Sequence, residues 1–156
     1  MLLPSSAGEV AEILARATRE SVGVSIAGAG SGVTGGRVPH GGWVVSPENF
    51  LRLDIERGSA AAGAGVLLKH LHAAAARTRQ LYAPDPTEWM ASAGGTIATN
   101  ASGSRSFLYG ATRRHVVSLT AAFADGSLRT FRRGDAIDFE VPAIPLPKTT
   151  KNTAGY

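Results

Sequence analysis

The chain has 156 residues, 44% of them hydrophobic and 18% charged, which is enough for one globular domain with a real core. It contains no cysteine, so disulfides, thiolate metal sites and a cysteine nucleophile are excluded, and a reducing cytoplasm is the expected location. The net charge is +4, but the arginines are scattered from Arg16 to Arg133 and no basic stripe alternates with aromatics, so no nucleic-acid partner is expected.

No apolar run approaches the roughly 18–20 residues that span a bilayer, so no transmembrane segment is expected. The opening MLLPSSAGEV lacks the basic and long apolar stretches of a signal peptide. Residues 6–19 predict an amphipathic helix. Ser6 and Glu9 have the spacing of a capping box, and Val10, Ile13, Leu14 and Ala17 recur on one face. A strand is predicted at 22–26, where Val22, Val24 and Ile26 alternate, and another near Trp43–Val45, giving a β-α-β-like opening. LRLDIE at 51–56 predicts a half-buried strand, and SAAAGAGV at 59–66 a strand of small residues. The alanine-rich segment 67–80 should be helical. APDP at 83–86 is a rigid turn or extended piece. Residues 115–131 predict a hairpin turning at Asp125–Gly126. Beyond Gly134 the regular signals fade into VPAIPLPKTTKNTAGY.

The most unusual stretch is AGAGSGVTGG, residues 27–36, with glycine at 28, 30, 32, 35 and 36. Glycine allows positive φ and close approach of main chain to a ligand, and successive N–H groups can form a concave nest for an anion. Gly30, Gly32 and Gly35 fit G-x-G-x-x-G, but that fingerprint requires a helix to follow. Here RVPHGGWVV follows, so the loop runs from strand to strand. The P-loop pattern also fails, because Gly35 is followed by Gly36 and Arg37. The loop is either a phosphate-type loop or an ordinary glycine-rich turn.

A second stretch, AGGTIATNASG, places Gly94 and Gly95 ahead of Thr99, Asn100 and Ser102. Its small side chains let backbone lie against a flat ligand, while its hydroxyls and amide offer directional hydrogen bonds. The alternative is a helix start capped by Ser and Asn. His70 and His72, at i and i+2 of a predicted helix, point to different faces and do not suggest a shared metal. His40 reads as solvent-facing, His115 as a structural histidine opening a strand, and Trp43 and Trp89 as core or rim. Asp85, between two prolines, reads as a loop-fixing side chain. No G-x-S-x-G elbow is present. No catalytic residue and no metal site are assigned.

In order, AGAGSGVTGG, VP and a strand, AGAGV, APDP, GGTIATNASG, YGATRRHVVSL, a DG hairpin and KNTAGY resemble one known arrangement. It is the FAD-binding domain of the vanillyl-alcohol oxidase/p-cresol methylhydroxylase flavoprotein superfamily. The branch it looks most like holds glycolate oxidase flavin subunits and D-lactate dehydrogenases. The resemblance covers the chain from about residue 3 to 156. It implies an α+β fold, a PCMH-type domain of two packed α/β subdomains gripping FAD, here residues 1–58 and 59–156, with the second incomplete at its C-terminus. It implies that Gly28, Ala29, Gly30, Ser31, Gly32, Val33, Thr34 and Gly35 hold the pyrophosphate. Pro84, Asp85, Gly94, Gly95, Ala98, Thr99, Asn100, Ser102 and Gly103 would line the flavin and ribityl chain, with Tyr109 and Gly110 shaping a wall.

Several positions depart from the family pattern. Ala27 stands where many relatives carry arginine, and Arg114 where aspartate is common. Ser31 stands where covalent flavoproteins of the superfamily place histidine, so FAD should be bound non-covalently. A following G-S-E-G-T-type motif and a substrate-binding cap domain are absent, which makes a truncated domain, inactive alone, the expectation. The implied function is the FAD-binding part of an oxidoreductase that oxidises a small 2-hydroxy acid by hydride transfer to flavin, the substrate being met through the missing domain. Two alternatives stay open: a non-catalytic flavin-binding or electron-transfer accessory subunit, and a superfamily reductase acting on a nucleotide-sugar. A longer protein leaves peripheral membrane association open. Truncation predicts apolar surface near the C-terminal segment and self-association.

Overall fold

The computed structural model describes residues 1–136. The C-terminal proline-rich segment, KNTAGY and the apolar surface expected beside them lie outside the described residues.

The first helix, α1 (Ala7–Arg19), begins at Ser6, whose side chain accepts the Glu9 N–H at 3.2 Å. The predicted reciprocal contact is displaced by one residue. The Glu9 carboxylate turns to Ser5, taking its N–H at 2.9 Å and its hydroxyl at 2.8 Å. β1 (Val24–Ile26) pairs in parallel with β2 (Trp43–Val45), with Val24 opposite Trp43 and Ile26 opposite Val45. Leu2 lies on the other edge of β2: its N–H donates to the Val44 carbonyl at 2.7 Å, and its carbonyl accepts from Ser46 at 2.9 Å. α1 is therefore the crossover of the predicted β-α-β opening.

β3 (Leu53–Glu56) and β4 (Ser59–Ala62) form an antiparallel hairpin, turning at Arg57–Gly58 where the division between subdomains was expected. Leu53 and Ile55 turn inward, while Leu51 stays exposed outside the strand. β4 stops four residues short of the predicted strand because AGAGV turns beneath another segment. A Cβ on Gly63 would collide with the Phe50 carbonyl oxygen, and one on Gly65 with that of Pro47. α2 (Leu68–Arg77) buries Leu68, Leu71 and Ala75. With Ala91 and the half-buried Leu53, Ile55 and Tyr82, Leu68 and Leu71 form the core cluster.

Three short helices follow: α3 (Ala93–Ala98), α4 (Ser106–Tyr109) and α5 (Thr112–His115). His115 thus ends a helical turn instead of opening a strand, and its Nε2 lies 2.9 Å from the Tyr109 carbonyl oxygen. The buried Thr112 holds that turn in place by donating its hydroxyl to the Ala101 carbonyl at 2.7 Å. The hairpin is β5 (Ser118–Ala122) with β6 (Leu128–Arg132), Ala122 opposite Leu128. Gly126, at φ 83°, is the left-handed residue of a three-residue loop in which its N–H meets the Phe123 carbonyl at 2.9 Å. A Cβ there would also press on Ala15 of α1 at 2.7 Å, so the hairpin tip packs on the first helix. The Thr18 hydroxyl donates to the Ala124 carbonyl at 2.5 Å across the same contact. Between α1, β1 and the end of β5 runs an apolar groove of about 520 Å³, lined by Val10, Leu14, Ala17, Val24, Ile26 and Ala122 among others. The groove explains why Val10 and Leu14, on the predicted buried face, are only half-buried.

Candidate functional site

The two glycine stretches meet. The Ala27 N–H donates to the Val45 carbonyl at 2.9 Å, which keeps the chain leaving β1 aligned with β2. From Gly28 to Thr34 the backbone amides donate to no other described residue, and the Val38 N–H closes the far end on the Gly35 carbonyl at 2.9 Å. Residues 31–36 are exposed. Successive solvent-facing N–H groups with no partner among the described residues are free to turn to an anion.

The glycines of this loop have different causes. Gly30 and Gly35 adopt left-handed φ of 79° and 77°. A Cβ on Gly28 would lie 2.9 Å from the Ser92 Oγ, which brings the loop's start against the start of α3. Gly32 has no left-handed φ, and no atom of another described residue lies within 4 Å of a Cβ there, so no contact among the described residues requires glycine. Arg37, which the sequence reading did not assign to the site, folds its guanidinium back onto Gly30 and occupies the space a Cβ would take. Its signal was only a basic residue at the end of a glycine run.

The second stretch is helical. Ser92 caps α3, accepting the Gly95 N–H at 3.3 Å. The Ala93 N–H donates to the Val66 carbonyl at 2.8 Å and that of Gly94 to the Ala64 carbonyl at 2.9 Å. These amides are spent on the protein, and a Cβ on Gly94 would lie 2.8 Å from that of Ala64. Close backbone crossing therefore accounts for glycine at 94. Ala98 and Thr99 are exposed at the helix end. Asn100, at φ 47°, ends α3 in a Schellman arrangement: Ala101 N–H bonds the Thr96 carbonyl at 2.9 Å and Asn100 N–H that of Ile97 at 3.1 Å. The Asn100 side-chain oxygen then accepts the Arg113 N–H at 2.9 Å.

A third cluster centres on Asp85, buried in a left-handed conformation (φ 44°) after the buried Pro84. Its Oδ1 accepts from Trp89 Nε1 at 3.3 Å and faces His72 Nε2 at 3.5 Å. Its Oδ2 accepts from Ser104 Oγ and pairs with Arg105 Nε, both at 3.3 Å. Its carbonyl oxygen sits where a Cβ on Gly103 would fall. Ser106 Oγ donates to the Pro84 carbonyl at 3.3 Å and accepts the Gly103 N–H at 2.9 Å. The 84–86 turn and the 101–106 loop, with Ser102 half-buried between, are thereby locked together. His72 stacks on Trp89 at 5.0 Å between ring centroids. Burial pushes its pKa below the ordinary 6.5, with Arg105 acting in the same direction and Asp85 opposing, so it is held as the neutral imidazole. His72 and Arg105 are contributors to this cluster that the sequence reading did not assign. His70, on the same helix, is exposed. Tyr109, at the end of α4, is 38% exposed.

A family profile described as an FAD binding domain matches residues 1–132. The chain is 40% identical over 156 residues to a D-lactate dehydrogenase of Archaeoglobus fulgidus, across 98% of this chain and 32% of that protein. It is 27% identical over 160 residues to the glycolate oxidase subunit GlcD of Bacillus subtilis, across 99% of this chain and 34% of that protein. It spans about a third of the length of these relatives. Among solved structures, 6-hydroxy-D-nicotine oxidase from Arthrobacter nicotinovorans superposes with a TM-score of 0.74 at 24% identity, over 82% of this chain and 28% of that one, a likeness of fold.

Proposed function

The chain belongs to the FAD binding domain family, and from that premise we propose that it is the cofactor-holding part of an oxidoreductase that oxidises a small 2-hydroxy acid. The observation that carries this reading is the run of undirected amides from Gly28 to Thr34. A diphosphate takes several N–H donors from a concave backbone and tolerates little side-chain bulk. The loop offers those donors, the hydroxyls of Ser31 and Thr34, and open space over Gly32, so its residues fit the cofactor.

The pyrophosphate is held by Gly28 through Gly35. The flavin and ribityl chain lie along Pro84, Asp85, Ala98, Thr99, Asn100, Ser102, Gly103 and Tyr109. Gly94 serves by letting α3 pack closely against Ala64, and Gly95, exposed in the first turn of α3, lies along the flavin with the residues that follow it. Attachment is non-covalent, in keeping with the absence of cysteine and with Ser31 in the loop. Once bound, flavin supplies a two-electron acceptor for hydride from the substrate. The chain's own residues grip and orient it, and none is assigned a proton-transfer role. The substrate class rests on the D-lactate dehydrogenase likeness, and contacts to substrate come from residues outside this chain. The two-subdomain division at 58/59 and a cytoplasmic location belong to the same reading. Among the described residues no helix is long and apolar enough to cross a membrane.

The test is a visible absorption spectrum after FAD is added and the excess removed. Flavin bands should remain and be released completely by denaturation. Gly32→Val should leave a folded, colourless protein. A folded wild-type chain that stays colourless contradicts the reading.

A further inference from the structure

Residues 27–36 carry no charged side chain, although a diphosphate brings about two negative charges to whatever binds it. The nearest cation in sequence, Arg37, has an unusual placement. Although the residue is exposed, its guanidinium turns back to lie against Gly30, with Cζ 2.5 Å and Nη2 3.0 Å from where a Cβ would stand. The left-handed φ of Gly30 and its missing side chain together make room for this fold-back. Among the described residues Arg37 has no carboxylate partner. A planar, permanently charged fork thus lies against Gly30, within a loop whose amides from Gly28 to Thr34 donate to no other described residue, and a guanidinium matches phosphate oxygens in a bidentate manner.

We infer that Arg37 is the charge-bearing residue of the dinucleotide-phosphate site, reaching over Gly30 to the diphosphate that the loop amides hold. The inference rests on the cofactor reading above and adds a residue and an electrostatic contribution to it. Glycine at 30 then has two roles: to turn the chain, and to let the guanidinium approach the ligand side of the loop. Because the site is open to solvent, the attraction is screened by salt, whereas the amide contacts are much less so.

The experiment is FAD affinity by flavin fluorescence, at low and high ionic strength, for the wild-type chain, R37Q and R37K, each checked for unchanged far-ultraviolet circular dichroism. R37Q should bind about five- to tenfold more weakly at low ionic strength, as loss of an exposed charge against a diphosphate predicts. The difference should shrink at high ionic strength, and R37K should recover part of it, because lysine restores the charge but not the bidentate fork. A purely structural role for Arg37 would give neither salt dependence nor recovery by lysine. R37Q binding like the wild type at both ionic strengths overturns the inference while leaving the cofactor reading intact. A wild-type chain with no affinity for FAD overturns both.

Discussion

Single glycines in this chain separate into those where a neighbouring segment leaves no room for a side chain and those with open space around them. Gly103 belongs to the first group, since a Cβ there would meet the Asp85 carbonyl. Gly103→Ala should cost about 2–3 kcal/mol of stability, as overpacking against immovable backbone does. Gly32 belongs to the second. Gly32→Ala should leave stability within about 0.5 kcal/mol of wild type while weakening FAD binding. Chemical denaturation of both variants decides the matter, and equal losses would show that the division is wrong. The sequence made all these glycines look alike. What distinguishes Gly32 from Gly103 is which other segment passes within 4 Å, and that is a tertiary fact no local pattern carries. The same limit hid Arg37 and His72, whose neighbours Gly30 and Asp85 come close only through the loop and the turn.

At the scale of elements, local signals did better. Ser6 began α1 where the capping pattern placed it, because its side-chain bond to the Glu9 N–H is local. Period-2 alternation located β3, and Asp125–Gly126 located the last hairpin. The misplacements came from contacts between segments: AGAGV turns away from β4 because Phe50 and Pro47 lie over it, and His115 is drawn into a helical turn tied to Ala101. One pairing of elements has a pH signature. His72 on α2 packs against the Asp85–Trp89 turn, facing Asp85 and Arg105, and its folded pKa lies below 6.5. The unfolded chain therefore takes up the proton first on acidification. Stability from this contact is complete above pH 6.5 and is lost as pH falls through the folded value. The thermal midpoint of the wild type should drop between about pH 7 and pH 5 by more than that of His72→Gln, which cannot titrate in that range. Parallel curves for the two proteins would contradict the assignment of His72 as the neutral partner.

For the whole molecule, the order of weak motifs along the chain was more informative than any one of them. AGAGSGVTGG alone allowed an ordinary turn. AGAGV, APDP and GGTIATNASG following at these intervals identified the family that residues 1–132 match. The fold explains why the order matters. α3 carries the second glycine stretch from Ser92, beside Gly28, to Asn100, beside the loop that Asp85 clamps. Six helical residues span on the order of 9 Å, so the first glycine loop and the proposed flavin-lining loops stand at opposite ends of one short rod. The central claim is that the free backbone of Gly28–Thr34, not a side-chain pocket, takes the cofactor's diphosphate. Amide hydrogen exchange, resolved by residue with and without saturating FAD, tests it most directly. The account predicts that exchange at residues 28–34 slows sharply on binding, while the amides of Ala93 and Gly94, already bonded to Val66 and Ala64, change little. Bound flavin with unchanged exchange in the loop would contradict it.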